Sequence, residues 1–258
     1  MKQSERLEYL IKYLLSERNL ILDIPIDTDE KKKLFRTLVN VRMPKMASKD
    51  FLKIQDEYLQ EELRQKGITD IDNLLPIVPE IYLSKGDITT LKCDGIVNAA
   101  NSQMLGCFYP NHGCIDNAIH TFAGIQLRQE CAELMRVQGK EEPAGKAKIT
   151  KAYNLPCKHI LHTVGPIVYG KLNAQHEKLL ASCYFSCLEL ADANNLTSLA
   201  FCCISTGEFK FPNERAAQIA IQTIIEYKRK TYSKIKVVFN VFKEYDYEIY
   251  ARLLKEYK

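Results

Sequence analysis

Gly95-Ile-Val-Asn-Ala-Ala-Asn-Ser-Gln-Met-Leu-Gly-Cys-Phe-Tyr-Pro-Asn-His-Gly-Cys-Ile-Asp-Asn117 carries several readings in succession. Gly95 to Asn98 is a short β-branched run and reads as a strand. Asn98-Ala99-Ala100-Asn101 sets two amide side chains around two residues small enough to let a ligand approach, with ordinary turn chemistry as the plain alternative. Cys107, His112 and Cys114 then follow a C-x4-H-x-C spacing in a segment that contains Pro110 and Gly113. Cys, His and Cys are three good zinc ligands, one fewer than a structural site usually has, which leaves a position for water or substrate. Asp116 follows two residues later, in what reads as a helix start. An anion is stabilised there, and backbone N–H groups are free to hold one. His120, in the same segment, reads as a helix-face residue packed locally rather than as a ligand.

On either side of this stretch the pattern differs. Residues 1 to about 75 read as purely helical. Leu7, Leu10, Ile11, Leu14 and Leu15 follow helical spacing, as do Leu34, Phe35, Leu38 and Val39, and then Phe51, Leu52, Tyr58, Leu59 and Leu63. Ser48 is suited to cap the third helix, with Asp50 in its first turn and Gly67 at its end. From about residue 78, strands at 81–83, 95–98, 147–152, 159–163, 199–204 and 236–242 alternate with helices at 114–123, 125–138, 175–193, 212–230 and 245–255. That alternation implies an α/β fold with a mainly parallel sheet covered on both faces. Such sheets bind ligands at the carboxyl ends of their strands.

The segments after the strands are therefore the candidate site. Lys85-Gly86-Asp87-Ile88-Thr89 offers Asp87 as an acceptor for an amine, or as a cap for its own turn. Ser205-Thr206-Gly207-Glu208-Phe209, ahead of Pro212, can present successive N–H groups to a phosphate and an aromatic face beside them. Asn240 and Phe242 close the last strand, as a further amide and aromatic or as core. No P-loop and no G-x-G-x-x-G occurs, which removes the main support for nucleoside triphosphatase and dinucleotide dehydrogenase readings.

Composition bounds the rest. The 258 residues are 46% hydrophobic, enough for a real core, and the net charge of +4 does not suggest a nucleic-acid binder. Glu8 and Lys12 interrupt the Leu7–Leu15 run, so it is no secretory signal. No stretch reaches the ~18 apolar residues of a membrane helix. The nine cysteines are irregularly spaced. They imply free thiols in a reducing cytoplasm, with Cys183, Cys187, Cys202 and Cys203 as small buried apolar residues.

Gly-Asp-Ile-Thr at 86–89, Val-Asn-Ala-Ala-Asn at 97–101, Ile-Asp-Asn-Ala-Ile-His at 115–120 with Ala123-Gly124, and Ile-Ser-Thr-Gly-Glu-Phe at 204–209 with Pro212 together resemble the macrodomain family over residues 78 to 258. The inserted Cys, His and Cys stand where the hydrolytic branch commonly has a glycine run, and they resemble the zinc-dependent microbial macrodomains, which also carry a helical N-terminal extension. The resemblance implies a three-layer α/β/α macrodomain with a six-stranded mixed sheet at 76–258, preceded by a helical extension at 1–75. It implies hydrolysis of mono-ADP-ribose from protein side chains, with Asp/Glu esters as the expected linkage and one Zn2+ per chain on Cys107, His112 and Cys114. Asp116 and Asn101 would be catalytic. Asp87 and Ile88 would meet the adenine and Asn101 the distal ribose. Ile115, Asp116 and Asn117 would lie on one side of the diphosphate and ribose, and Ser205, Thr206, Gly207, Glu208 and Phe209 on the other. ADP-ribose and an ADP-ribosylated protein are the implied partners. In some bacteria the latter is a lipoyl-carrier protein modified by a sirtuin-type transferase. The alternatives are a non-enzymatic ADP-ribose reader, or an O-acetyl-ADP-ribose deacetylase with structural zinc.

Overall fold

The computed structural model describes residues 1–257. It begins with three helices, α1 (Gln3–Ser16), α2 (Thr28–Asn40) and α3 (Lys49–Lys66). Their starts are set by local chemistry. Asp27 accepts from the Glu30 N–H at 2.9 Å, and Ser48 Oγ accepts from the Phe51 N–H at 3.1 Å, so each side chain satisfies an N–H that the helix itself leaves open. The apolar stripes meet in a core of their own, in which Leu10, Ile11, Phe35, Leu38, Phe51 and Tyr58 are buried.

The remaining chain forms strands β1 (Thr69–Asp70), β2 (Ile81–Lys85), β3 (Leu91–Lys92), β4 (Gly95–Ala100), β5 (Ala147–Lys151), β6 (His159–Val164), β7 (Ser198–Phe201) and β8 (Lys236–Val241). They are interleaved with helices α4 (Ile115–Ala123), α5 (Ile125–Gln138), α6 (Ala174–Ala193), α7 (Asn213–Thr231) and α8 (Glu244–Leu254). The main sheet has six strands in the order β2-β8-β7-β4-β6-β5. Every pairing is parallel except β5 with β6, which a short connection joins as an antiparallel hairpin. Helices α6, α7 and α8 pack side by side as one layer, and α4 and α5 form the other, against which α2 rests. The mixed six-stranded sheet between two helical layers is the architecture expected from the sequence. No helix among the described residues is long and apolar enough to cross a membrane.

Two expectations need correction. The α-helices end at Lys66, and the stretch to residue 75 holds a short strand and a single 3-10 turn at Ile71–Asn73. Beyond Gly67, β1 pairs with β3 through Thr69↔Leu91 and Asp70↔Lys92, and Ile71 packs into the main core. The fifth strand of the main sheet stops at Phe201 rather than Ile204. Its ladder to β4 covers only Gly95↔Leu199 and Ile96↔Ala200, after which the chain turns away through Ser205 at φ +64°.

The centre of the sheet is locked below the site by Asp94, just before β4. Its carboxylate accepts from the N–H and hydroxyl of Thr197 at 2.7 and 2.6 Å and pairs with Lys158 at 2.7 Å. Burial raises this carboxyl, but Lys158 and Thr197 outweigh it and hold the group at about 2. A depressed carboxylate contributes stability that is present above its unfolded value and lost as pH falls through its folded one. Asp94→Asn is therefore expected to cost about 1–2 kcal/mol at neutral pH. In chemical denaturation at stepped pH, the gap between the two proteins should narrow from about pH 4 down to about pH 2.

Candidate active site

The carboxyl end of β4 and the start of α4 converge on one carboxylate. Asn98, fully buried in the central strand, donates through Nδ2 to Asp116 Oδ1 at 2.8 Å. Asn101 donates through Nδ2 to the Gly106 carbonyl at 3.1 Å and to Asp116 Oδ2 at 3.4 Å. His120 Nε2 lies 3.6 Å from Asp116 Oδ1, one helical turn along. Asp116 is 5% exposed. Burial lifts its carboxyl to about 6, against the opposing pull of the Asn98 hydrogen bond and the Arg128 charge. A carboxyl in that range can exchange a proton near neutral pH, as a general base must.

The three metal-type donors come together as their spacing suggested. Cys107 Sγ, His112 Nδ1 and Cys114 Sγ belong to a group whose ligand atoms all lie within 4.8 Å of one another, and Cys107 Sγ is 3.7 Å from His112 Nδ1. A tetrahedral zinc with sulfur at about 2.3 Å and nitrogen at about 2.0 Å would hold those two atoms about 3.5 Å apart. The donor set and its spacing therefore fit zinc. Burial pushes the Cys114 thiol up to about 12, so a nearby cation is what would make it a thiolate. Cys114 is also the N-cap of α4, accepting from the Asn117 N–H at 3.4 Å, which fixes the trio directly onto the helix that carries Asp116.

Across from this loop, Glu208 Oε1 stands 3.5 Å from His112 Nε2. Its neighbours form a tight turn in which Phe211 N–H reaches the Ser205 carbonyl at 2.9 Å and Lys210 N–H the Gly207 carbonyl at 3.0 Å. Thr206 closes the turn through its hydroxyl to the Cys203 carbonyl at 3.0 Å. Among the described residues the N–H groups of Gly207, Glu208 and Phe209 have no backbone partner, and the buried Ser205 hydroxyl has no partner at all. Gly207 and Glu208 are exposed and Phe209 half-buried.

Other expected residues are placed differently from a bare ligand contact. Asp87 caps its own turn, accepting from Thr89 N–H at 2.9 Å and the Thr89 hydroxyl at 2.6 Å, and its second oxygen pairs with Lys66 at the end of α3. Burial raises this carboxyl, but the Lys66 and Thr89 bonds dominate and hold it below its ordinary value. Ile88 is buried beside it. Ile115 begins α4 and is half-buried. The Asn117 side chain is committed to the loop: Nδ2 donates to the Cys107 and Tyr109 carbonyls at 3.4 and 3.0 Å, and Oδ1 accepts from Arg36. Its backbone is engaged as well, the N–H with Cys114 Sγ and the carbonyl with the Thr121 hydroxyl at 2.7 Å. Asn240 is buried with an Nδ2 that has no partner among the described residues, whereas Phe242 is 78% exposed.

Sequence reading missed the N-terminal helices as neighbours of this site. Arg36, Thr37 and Asn40 of α2 reach the Cys/His loop, and Arg128 of α5 donates to the carbonyls of Leu105, Val39 and Asn40 at 2.7, 3.0 and 2.9 Å. A pocket of about 680 Å³ lies among α2, α3 and α4, with Phe35, Arg36, Tyr58, Lys66 and Phe122 in its walls. None of these residues belongs to a motif, so no local signal was available. His120, expected to pack locally, is fully buried and among the described residues has no hydrogen-bond partner on either ring nitrogen. Its ligand atoms also lie within 4.8 Å of those of Cys131 and His162.

Comparison with known families matches the macro domain over residues 97–220. The chain is 55% identical to a protein named protein-ADP-ribose hydrolase from Treponema medium, over 98% of this chain and 100% of that one. It is 50% identical to a protein of the same name from Staphylococcus aureus (strain MRSA252), over 95% and 93%. Among solved structures it resembles the Trypanosoma brucei macrodomain in complex with ADP-ribose, with a TM-score of 0.66 and 31% identity over 85% of this chain and 94% of that one.

The geometry singles out Gly106, whose φ of +81° would leave an added Cβ 2.7 Å from the buried His120 ring. Gly106→Ala is expected to cost about 2–4 kcal/mol, from strained backbone plus overpacking. Gly139→Ala, at φ +71° with nothing within 4 Å, should cost only about 1 kcal/mol from the backbone. Urea midpoints of the two variants measure the difference.

Proposed function

The chain belongs to the macrodomain family and is a hydrolase; from that premise we propose that it removes ADP-ribose from modified proteins by cleaving the bond at C1″ of the distal ribose. The carrying observation is the meeting of Asp116, held by Asn98 and Asn101, with the Cys107, His112 and Cys114 trio at the start of the same helix. The high identity to relatives named protein-ADP-ribose hydrolase supports the same reading.

Each part of the cleft has work that its chemistry suits. The N–H groups of Gly207, Glu208 and Phe209 and the Ser205 hydroxyl are donors for the diphosphate. Asp87 accepts the adenine amine on a carboxylate it shares with Lys66. Asn101, bonded to both Gly106 and Asp116, sets the carboxylate against the distal ribose. Asp116 takes a proton from the attacking water, or orients it, at a carboxyl raised to about 6. Cys107, His112 and Cys114 would hold one zinc per chain, which when bound supplies Lewis-acid polarisation of a reacting oxygen. His112 turns Nδ1 to the trio and Nε2 towards Glu208, an arrangement in which the carboxylate orients a ligating ring. The linkage we propose is an Asp or Glu ester of the target protein, with a lipoyl-carrier protein among the candidate targets.

Asp116→Asn should lower kcat about 10²- to 10⁴-fold while the protein stays folded and still binds ADP-ribose. Removal of the metal with a chelator, or Cys107→Ser, should abolish most turnover. A folded, metal-free protein with full turnover would remove zinc from the mechanism. On a panel of Asp/Glu-linked, Ser-linked and Arg-linked ADP-ribose, the ester form should turn over fastest, and cleavage of only the Ser- or Arg-linked form would overturn the linkage. A protein that binds ADP-ribose but leaves every linkage intact would be a reader.

A further inference from the structure

The loop that carries the three donors does not hold itself. Between Gly106 and Gly113 it contains one internal backbone hydrogen bond, His112 N–H to the Tyr109 carbonyl at 3.2 Å. Apart from the 3.7 Å approach of Cys107 Sγ and His112 Nδ1, its other fastenings come from outside, and several come from one helix of the N-terminal part. Asn40 Oδ1 accepts from the Asn111 N–H at 2.9 Å, and Thr37 Oγ1 accepts from Asn111 Nδ2 at 2.7 Å. Arg36 donates through Nη2 to the His112 carbonyl at 2.9 Å, and through Nε and Nη2 to Asn117 Oδ1 at 3.0 and 2.7 Å.

The Arg36 contacts reach the backbone of two of the three donors and the asparagine that meets the third. One reaches His112 directly. The other orients Asn117, whose Nδ2 meets the Cys107 carbonyl and whose backbone N–H meets Cys114 Sγ. One planar guanidinium thus touches the His112 carbonyl and, through the Asn117 side-chain amide, the Cys107 carbonyl, while Cys114 is met by the backbone N–H of the same asparagine. Among the described residues Arg36 forms no ion pair, so all the hydrogen bonds it makes go to neutral oxygens around the metal-type donors. The helix beneath it is independently anchored, because Phe35, Leu38 and Val39 are buried in the core of the three N-terminal helices.

We infer that α2 is the clamp of the metal loop and that Arg36 is its positioning residue, so that the N-terminal helices set how tightly zinc is held. The inference rests on the reading that Cys107, His112 and Cys114 hold zinc. The physical reason is preorganisation. A loop with one internal bond must otherwise fix its three donors at the moment of binding. Groups that orient metal ligands typically change metal affinity about 10- to 100-fold when removed. A fork-shaped donor that bridges two acceptors has no equivalent in a lysine ammonium, which carries the charge without the geometry.

The experiment measures zinc release from the whole chain, loaded with one equivalent, into excess chromogenic chelator. Melting temperatures of the metal-free and loaded forms are recorded alongside. Arg36→Met should release zinc about 10- to 100-fold faster than the parent, and Arg36→Lys should recover only part of that loss. Thr37→Val, which removes one acceptor from the Asn111 side chain, should show a smaller increase in the same direction. The metal-free melting temperature should stay near the parent value in all three, while the gain on adding zinc shrinks in the order of the release rates. A merely structural residue would lower the metal-free melting temperature and leave the zinc gain intact, which overturns the inference. Should Arg36→Met fail to fold, Arg36→Lys and Thr37→Val decide it: parental release rates in both reject the clamp. If the parent takes up no stoichiometric zinc, the metal reading itself falls, and the clamp with it. If the parent holds one zinc and Arg36→Met releases it at the same rate, only the clamp falls.

Discussion

Burying a carboxylate without a direct ion pair is the constraint around which this molecule is arranged. An isolated ionised carboxyl out of water costs several kcal/mol unless its oxygens are bonded. Asp116 meets that demand with Asn98 on one oxygen and Asn101 on the other. Asn98 can reach it only from the central strand, where it lies opposite His162 in the parallel ladder. Asn101 can reach it only because the chain turns just beyond β4. The sheet order, the turn and the entry angle of α4 all follow from delivering two amides and a helix start to one point. The balance leaves the carboxyl raised to about 6, suited to exchange protons and not merely to stabilise the fold.

Much of this was legible because it is local. The strand and helix alternation survived in every main-sheet element, with boundaries moved by a few residues. The C-x4-H-x-C spacing gathered its donors because a turn at Tyr109–His112 folds the segment back on itself. Asp87 shows where local reading reaches its edge. Its role as cap of its own turn is visible from Thr89 two residues away, whereas its bond to Lys66, 21 residues earlier, is not. The error at residues 67–75 has the same origin. Nothing in Thr69-Asp70 announces that its partner is Leu91-Lys92, so a segment that pairs as a strand is counted with the helical region before it.

The N-terminal helices change in standing once their contacts are known. Their sequence reads as apolar stripes and capping residues and holds none of the motifs that mark the site. They do carry a core of their own, which includes Ile125 of α5, and the face they turn to the α4 and α5 layer adds polar bonds to it. Gln55 accepts from the Ile125 N–H at 3.0 Å, Asp56 accepts from Asn154 Nδ2 at 2.7 Å, and Asn40 donates to the Thr121 hydroxyl at 3.0 Å. Arg128 caps the carbonyl end of α2 with its charge, a placement favoured by the helix dipole, while its Nε holds the Leu105 carbonyl. Directional bonds of this kind fix orientation more than they add stability. They make the helices part of the frame that sets the Cys/His loop against Asp116.

The most direct measurement is a crystal structure of the zinc-loaded chain with ADP-ribose, with anomalous diffraction collected on both sides of the zinc edge. The account predicts one anomalous peak among Cys107, His112 and Cys114, with the distal ribose against Asp116 and Asn101 and the diphosphate along Ser205 to Phe209. An absent peak, a peak whose coordination is closed by a fourth protein side chain, or a distal ribose remote from Asp116 would contradict it.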